Sequence, residues 1–245
     1  MRRIVRLLVT LLALAVVVVA ADIGARTVVL DRVADELQQA YALPERPAIT
    51  AAGGSFLLQA VRGRYDDVTV RAASWPGEVE LRDVEVTFPQ VEAPAGIVLG
   101  RQETVRLAEG HAAAVVGYDE LSRLASQAGV AVTVTPEGRD LKASSGFSVL
   151  GQEIGLALTA EPEIVPGTDR ASVRLTPLSA TVAGQQVSLD RVRQFASTAG
   201  IDVLAPVDVP LTDVPPEVDP RTLEVTPGGV TVRAVVEATE VPAGG

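Results

Sequence analysis

Apolar and polar positions change period several times along the chain, and each change marks an element. Leu7 to Ala21 is almost wholly apolar, broken only by Thr10. From Thr27 to Tyr41 the period is helical. Val29, Val33, Leu37 and Tyr41 recur at four-residue spacing, with Asp31, Arg32, Asp35, Glu36 and Gln38 elsewhere on the wheel. Pro44 and Pro47 close that helix. After Ile49 the pattern turns to strand. Val68, Val70 and Ala72 alternate with Asp67, Thr69 and Arg71, as one buried and one wet face require. Trp75-Pro76-Gly77 reads as a turn, after which Val79 and Leu81 resume the alternation. Apolar parity then moves to Val84, Val86 and Phe88, a slip that calls for a bulge or short turn near Arg82-Asp83.

The second half contains a weak internal repeat: Asp119 to Val130 lines up with Asp190 to Ile201. Each copy reads as a short amphipathic helix with an acid in its first turn, where the helix dipole favours negative charge. Leu121, Leu124 and Ala125 form one apolar stripe, and Val192, Phe195 and Ala196 the other. Gly129 and Gly200 stand where a left-handed C-terminal residue is wanted. Hairpins follow the same rhythm. Val132 to Val134 runs into the turn Thr135 to Gly138, and Leu223 to Val225 runs through Thr226 to Gly229 into Val230 to Val232. The proline-rich stretch Pro206 to Pro220 reads as a stiff connector, and Val241 to Gly245 as a frayed tail. These elements predict an α+β fold, a long curved and mostly antiparallel sheet packed on two or three amphipathic helices, with room for an apolar groove. The expected organisation is an N-terminal segment 1–25, one domain over 26–240 and a disordered tail over 241–245.

Composition narrows the chemistry. The chain has 245 residues, a net charge of -10, one His and no Cys. Absence of Cys removes thiolate catalysis, disulfides and thiolate metal sites. His111 alone cannot build a multi-histidine metal centre. The acidic balance argues against a nucleic-acid partner, which requires clustered cations. Arg2, Arg3 and Arg6 precede the apolar stretch Leu7 to Ala21. That pattern predicts a secretory signal, with small residues at Ala20, Ala21 and Ala25 for cleavage, or else an uncleaved anchor. Either reading puts the body outside the cytoplasmic membrane, in the periplasm or cell envelope.

No catalytic residue, metal site or cofactor motif emerges. Ser55 lacks the second glycine of a nucleophile elbow and reads as a turn or strand serine. Asp66 and Asp67 point to opposite faces of a strand and cannot chelate together. One segment stands out, Phe56 to Tyr65. Extended, it would place Arg62 and Arg64 on one face at a spacing suited to a phosphate, beside the apolar cluster Phe56, Leu57 and Leu58. Apolar contact next to phosphate contact is what a phospholipid site needs, and a core strand with solvated arginines is the plainer alternative.

Leu43 to Pro47, Gly54 to Gln59, Gly63 to Val68 and Gly117 to Leu121, behind an amphipathic first helix, together resemble the LmeA-like family of actinobacterial envelope phospholipid-binding proteins. The family usually carries Gly-Phe-Pro-Phe-Leu-Thr-Gln where this chain has Gly53 to Gln59; Phe-Leu and Gln match, and the preceding Phe-Pro pair does not. The resemblance implies a non-catalytic protein that holds or carries phospholipid at the outer face of the cytoplasmic membrane, near enzymes of envelope glycolipid synthesis. Phe56, Leu57, Leu58 and Trp75 are then expected to meet acyl chains, and Arg62 and Arg64 the headgroup phosphate. The rival expectation is a membrane-tethered protein-interaction module with a closed core and no lipid.

Overall fold

In a computed structural model the described residues are 2–94, 103–126, 131–149, 152–167, 171–191, 207–211 and 214–243. The chain forms two compact units. The first comprises Met1–Ala73, Glu85–His111 and Val236–Gly245, and the second Ser74–Val84 and Ala112–Val235.

The first unit opens with α1 (Arg2–Ala40), one unbroken helix. The helix expected from Thr27 is therefore the second half of a longer one, since Pro44 is the first proline in the chain and nothing but Gly24 weakens the run before it. Strand β1 (Ala48–Ala52) pairs antiparallel with β2 (Arg64–Trp75), with α2 (Phe56–Arg62) between them. The register shifts where Ala51 faces Val68 and Ala52 faces Asp66, so Asp67 is the extra residue, with a φ of 46°. Next come β3 (Leu81–Glu92) and β4 (Glu103–Leu107), and β14 (Thr239–Ala243) adds to β4. Residues Thr239 to Ala243 are thus strand, where a frayed tail was expected from Val241 onward: Val241 pairs with Val105. Asp83, in the region where the parity slips, has a φ of 49°. Ala34, Leu43, Ala51, Phe56 and Ala72 are buried in this unit.

In the second unit, β5 (Gly110–Val116) leads into α3 (Tyr118–Ser126). Then follow β6 (Thr133–Glu137), β7 (Asp140–Val149), β8 (Gln152–Val165), β9 (Ser172–Val182) and β10 (Gln185–Val187), hydrogen-bonded in the order β10-β9-β8-β7-β6. The β6–β7 hairpin turns at Gly138, whose φ of +70° suits a residue without Cβ. Strand β11 (Val207–Pro210) pairs with β9, which converts part of the expected proline-rich connector into sheet. Finally β12 (Val218–Thr226) and β13 (Gly229–Val236) form the predicted second hairpin, in the order β5-β13-β12. Ala160, Ala180, Val230 and Ala234 are buried here. The architecture is α+β, an open and mostly antiparallel sheet with a few helices. Beyond Arg191 the second helix of the sequence repeat, with Gly129 and Gly200, lies outside the described residues.

Candidate functional site

The Phe56–Tyr65 segment is not extended. Ser55 and Gly63 bracket seven residues that contain neither proline nor glycine, and Leu, Gln, Ala and Arg among them favour helix. Ser55 is the N-cap, its hydroxyl accepting from Leu58 N–H at 3.3 Å. Gly63 ends the helix with a φ of 67°, and a Cβ there would come within 3.3 Å of the Ala93 carbonyl oxygen. Arg62 is consequently the last residue of a helix and Arg64 the first of a strand. The shared strand face on which the two were expected to flank a phosphate does not form.

Helix α2 is fastened by α1. The Asp22 carboxylate accepts hydrogen bonds from Ser55 Oγ at 2.6 Å, Leu57 N–H at 2.8 Å and Phe56 N–H at 3.0 Å. With Leu58 N–H on Ser55 Oγ and Gln59 N–H on the Ser55 carbonyl at 3.1 Å, the first-turn donors of α2 are all satisfied. The hydrogen bond from Ser55, then those from Leu57 and Phe56, hold the Asp22 carboxyl below its ordinary range, with Arg26 adding to the effect. One turn along α1, Arg26 donates to the Gly54 carbonyl at 2.8 Å and stands 5.9 Å from the Phe56 ring centroid.

The inner face of α2 consists of Phe56 and Gln59. Phe56 is 1% exposed and its ring lies 5.5 Å from that of Tyr65. Gln59 is buried; its Nε2 donates to the Ala52 carbonyl at 3.1 Å, and its Oε1 accepts from Asp66 N–H at 3.0 Å. One carboxamide thus joins the end of β1 to the start of β2. On the outer face, Leu57, Leu58 and Val61 are 39%, 48% and 81% exposed. Arg62 follows them, and among the described residues no carboxylate lies within ion-pair distance of it. Arg64 is paired with Glu92 at 3.3 Å.

Of the expected lipid-contacting residues, Leu57, Leu58 and Arg62 share an exposed surface. Phe56 faces the protein interior, Arg64 sits two positions beyond the helix in an ion pair, and Trp75 is half-buried at the end of β2. Asp22, Arg26 and Val61 were not singled out by sequence, and Gln59 only as a match to the family's motif. For Gln59 and Val61 as helix residues the signal was the Ser55-to-Gly63 bracket, which marks a helix of this length.

A second cluster surrounds α3. Glu120 is buried, accepts from Glu80 N–H at 2.9 Å and receives two bonds from the Arg123 guanidinium, at 2.7 and 2.6 Å. Arg123, more than the Glu80 amide, brings the Glu120 carboxyl down to about 2 against its burial. Asp119 pairs with Arg82 at 2.6 Å, and the Tyr118 hydroxyl donates to the Thr226 carbonyl in the β12–β13 hairpin. The model of the LmeA-like phospholipid-binding family matches residues 20–235.

The chain belongs to this family. No curated protein and no solved structure matches it. In this LmeA-like protein the residues that matched the family's short motifs are largely architectural. Phe56 and Gln59 hold α2 in place, while Tyr118, Asp119 and Glu120 lock α3 to its surroundings. The exposed Leu57, Leu58, Val61 and Arg62 are the surface this scaffold presents.

Proposed function

We propose that this protein binds phospholipid without acting on it chemically, and holds or carries it outside the cytoplasmic membrane in support of envelope glycolipid synthesis or maintenance. Family membership supports the ligand class. The observation that carries the reading at residue level is the outer face of α2, where apolar Leu57, Leu58 and Val61 end at Arg62, which has no ion-pair partner among the described residues. Such a surface offers acyl chains a dry contact and a phosphate a guanidinium partner. The Arg2, Arg3 and Arg6 cluster ahead of Leu7 to Ala21 supports export. Ser55, the one serine with a partial nucleophile motif, has its hydroxyl committed to capping α2, which favours a non-catalytic reading.

Native mass spectrometry of detergent-free protein, followed by solvent extraction, tests this. The expected result is phospholipid near one per chain, reduced in a chain carrying Leu57→Ser, Leu58→Ser and Arg62→Ala. A bare, monodisperse chain that also ignores added liposomes would overturn the reading and favour a protein-interaction module.

A further inference from the structure

The exposed face of α2 has a specific neighbour. Asp22 is the first residue after the apolar stretch Leu7 to Ala21, and its carboxylate holds the first turn of α2. Helix α1 runs through both without a break. Val18 precedes Asp22 by four residues, so the two lie in one column of the helix, with Val19 and Ile23 in the next. Val18, Val19 and Ile23 are all exposed. Exposed apolar side chains of α1 thus stand beside Asp22 on the helix, and the Asp22 carboxylate holds α2, whose own exposed side chains are apolar, where the uncharged stretch of α1 ends.

We propose that α2 is a membrane-docking element: Leu57, Leu58 and Val61 enter the outer edge of the phospholipid bilayer that receives the Leu7–Ala21 stretch, and Arg62 meets a lipid phosphate there. The proposal rests on the phospholipid reading above and names the physical form of the partner, a bilayer surface. Two arguments select that occupant. A helical stretch of 15 residues is about 22 Å long at the α-helical rise, shorter than the roughly 30 Å hydrocarbon core of a bilayer but long enough to enter it. Charge points the same way. The chain is acidic overall, so broad attraction to anionic headgroups does not bring it to a membrane, and a local apolar face ending at Arg62 supplies the attraction instead. In this geometry Asp22 is a positioning residue. It fixes α2 at the level where α1 leaves the apolar phase, and it spends its charge on the helix N–H groups instead of presenting it to lipid.

The cysteine-free chain permits a direct measurement. Val61→Cys and, separately, Glu109→Cys are introduced into the full chain and labelled with a nitroxide. Each is combined with vesicles of phosphatidylethanolamine and phosphatidylglycerol, after thermal melts have been matched to the parent. On addition of vesicles the Val61 probe should lose access to a water-soluble relaxing agent and gain access to dissolved oxygen, and the Glu109 probe should change in neither. A Leu58→Cys probe should repeat the Val61 result, which guards against a label that disturbs its own site. A Val61 probe that stays wet on a vesicle-bound chain overturns docking, and so does a full chain that fails to bind the vesicles. Lipid carried by the protein off vesicles is assayed in parallel. Carried lipid with a wet probe removes docking and leaves the holding function, whereas a buried probe without carried lipid does the reverse.

Discussion

Helices α2 and α3 are of similar length, and each has a carboxylate locked into hydrogen bonds at its first turn, yet they treat their apolar side chains oppositely. In α3 the carboxylate is its own, Glu120, which ties the helix inward through Arg123 and Glu80. Leu121 and Leu124 are partly covered, and Ser122 accepts a hydrogen bond from Val134 N–H of β6 at 2.8 Å. In α2 the carboxylate comes from another element, Asp22 of α1, and the side chains beyond Phe56 and Gln59 turn outward. A helix clamped by its own side chains on sheet is committed to the core. One held at its end by a neighbour, over a single buried ring, keeps a face for something else. That contrast separates architecture from surface within a chain whose motifs mark mostly architecture.

The comparison breaks most completely at Phe56. Phe56→Ala removes the fully buried ring of α2 and should cost about 3–5 kcal/mol in urea unfolding, the range of fully buried aromatics. For α3, Leu124→Ser should cost about 1–3 kcal/mol by the same measurement, because that stripe is partly covered. Glu120→Gln adds a pH signature. The folded-state pKa of about 2 lies below the unfolded carboxylate value, so Glu120 contributes stability above the unfolded pKa and loses it as pH falls through about 2. The gap in urea midpoint between parent and Glu120→Gln should accordingly be open at neutral pH and close towards pH 2. Asp22→Ala should lower hydrogen-exchange protection at residues 56–62 several-fold and leave 118–126 untouched. At the small end, Val61→Ser should leave stability within about 0.5 kcal/mol of the parent while weakening phospholipid contact. A large loss of stability there would make α2 another α3.

Much of α3 and little of α2 was legible in the sequence. The α3 stripe repeats at helical spacing, and the strands β2, β6, β7, β12 and β13 announce themselves by alternation or by turn residues. The Arg82-Asp83 slip is a local fact that parity alone exposes, and Asp83 has the positive φ that goes with it. Helix α2 was hidden because seven residues give barely two turns, too few for a period to declare itself against a strand. Its fastening was hidden for another reason: Asp22 stands 33 residues before Ser55, and nothing in either segment names the other. Pairing of β14 with β4 joins segments still further apart, so that a terminal run that reads as tail becomes strand.

The same separation has a kinetic side. An isolated helix of fewer than about 12 residues is marginal in water, because nucleation costs more than a few turns return. Helix α2 cannot stand until the chain between Asp22 and Ser55 has closed on itself and delivered the carboxylate to its first turn. It should form late, and it should open before the strands beside it when the protein loosens. In this protein a seven-residue helix is a reversible catch, its first turn closed by a side chain that belongs to a different part of the chain.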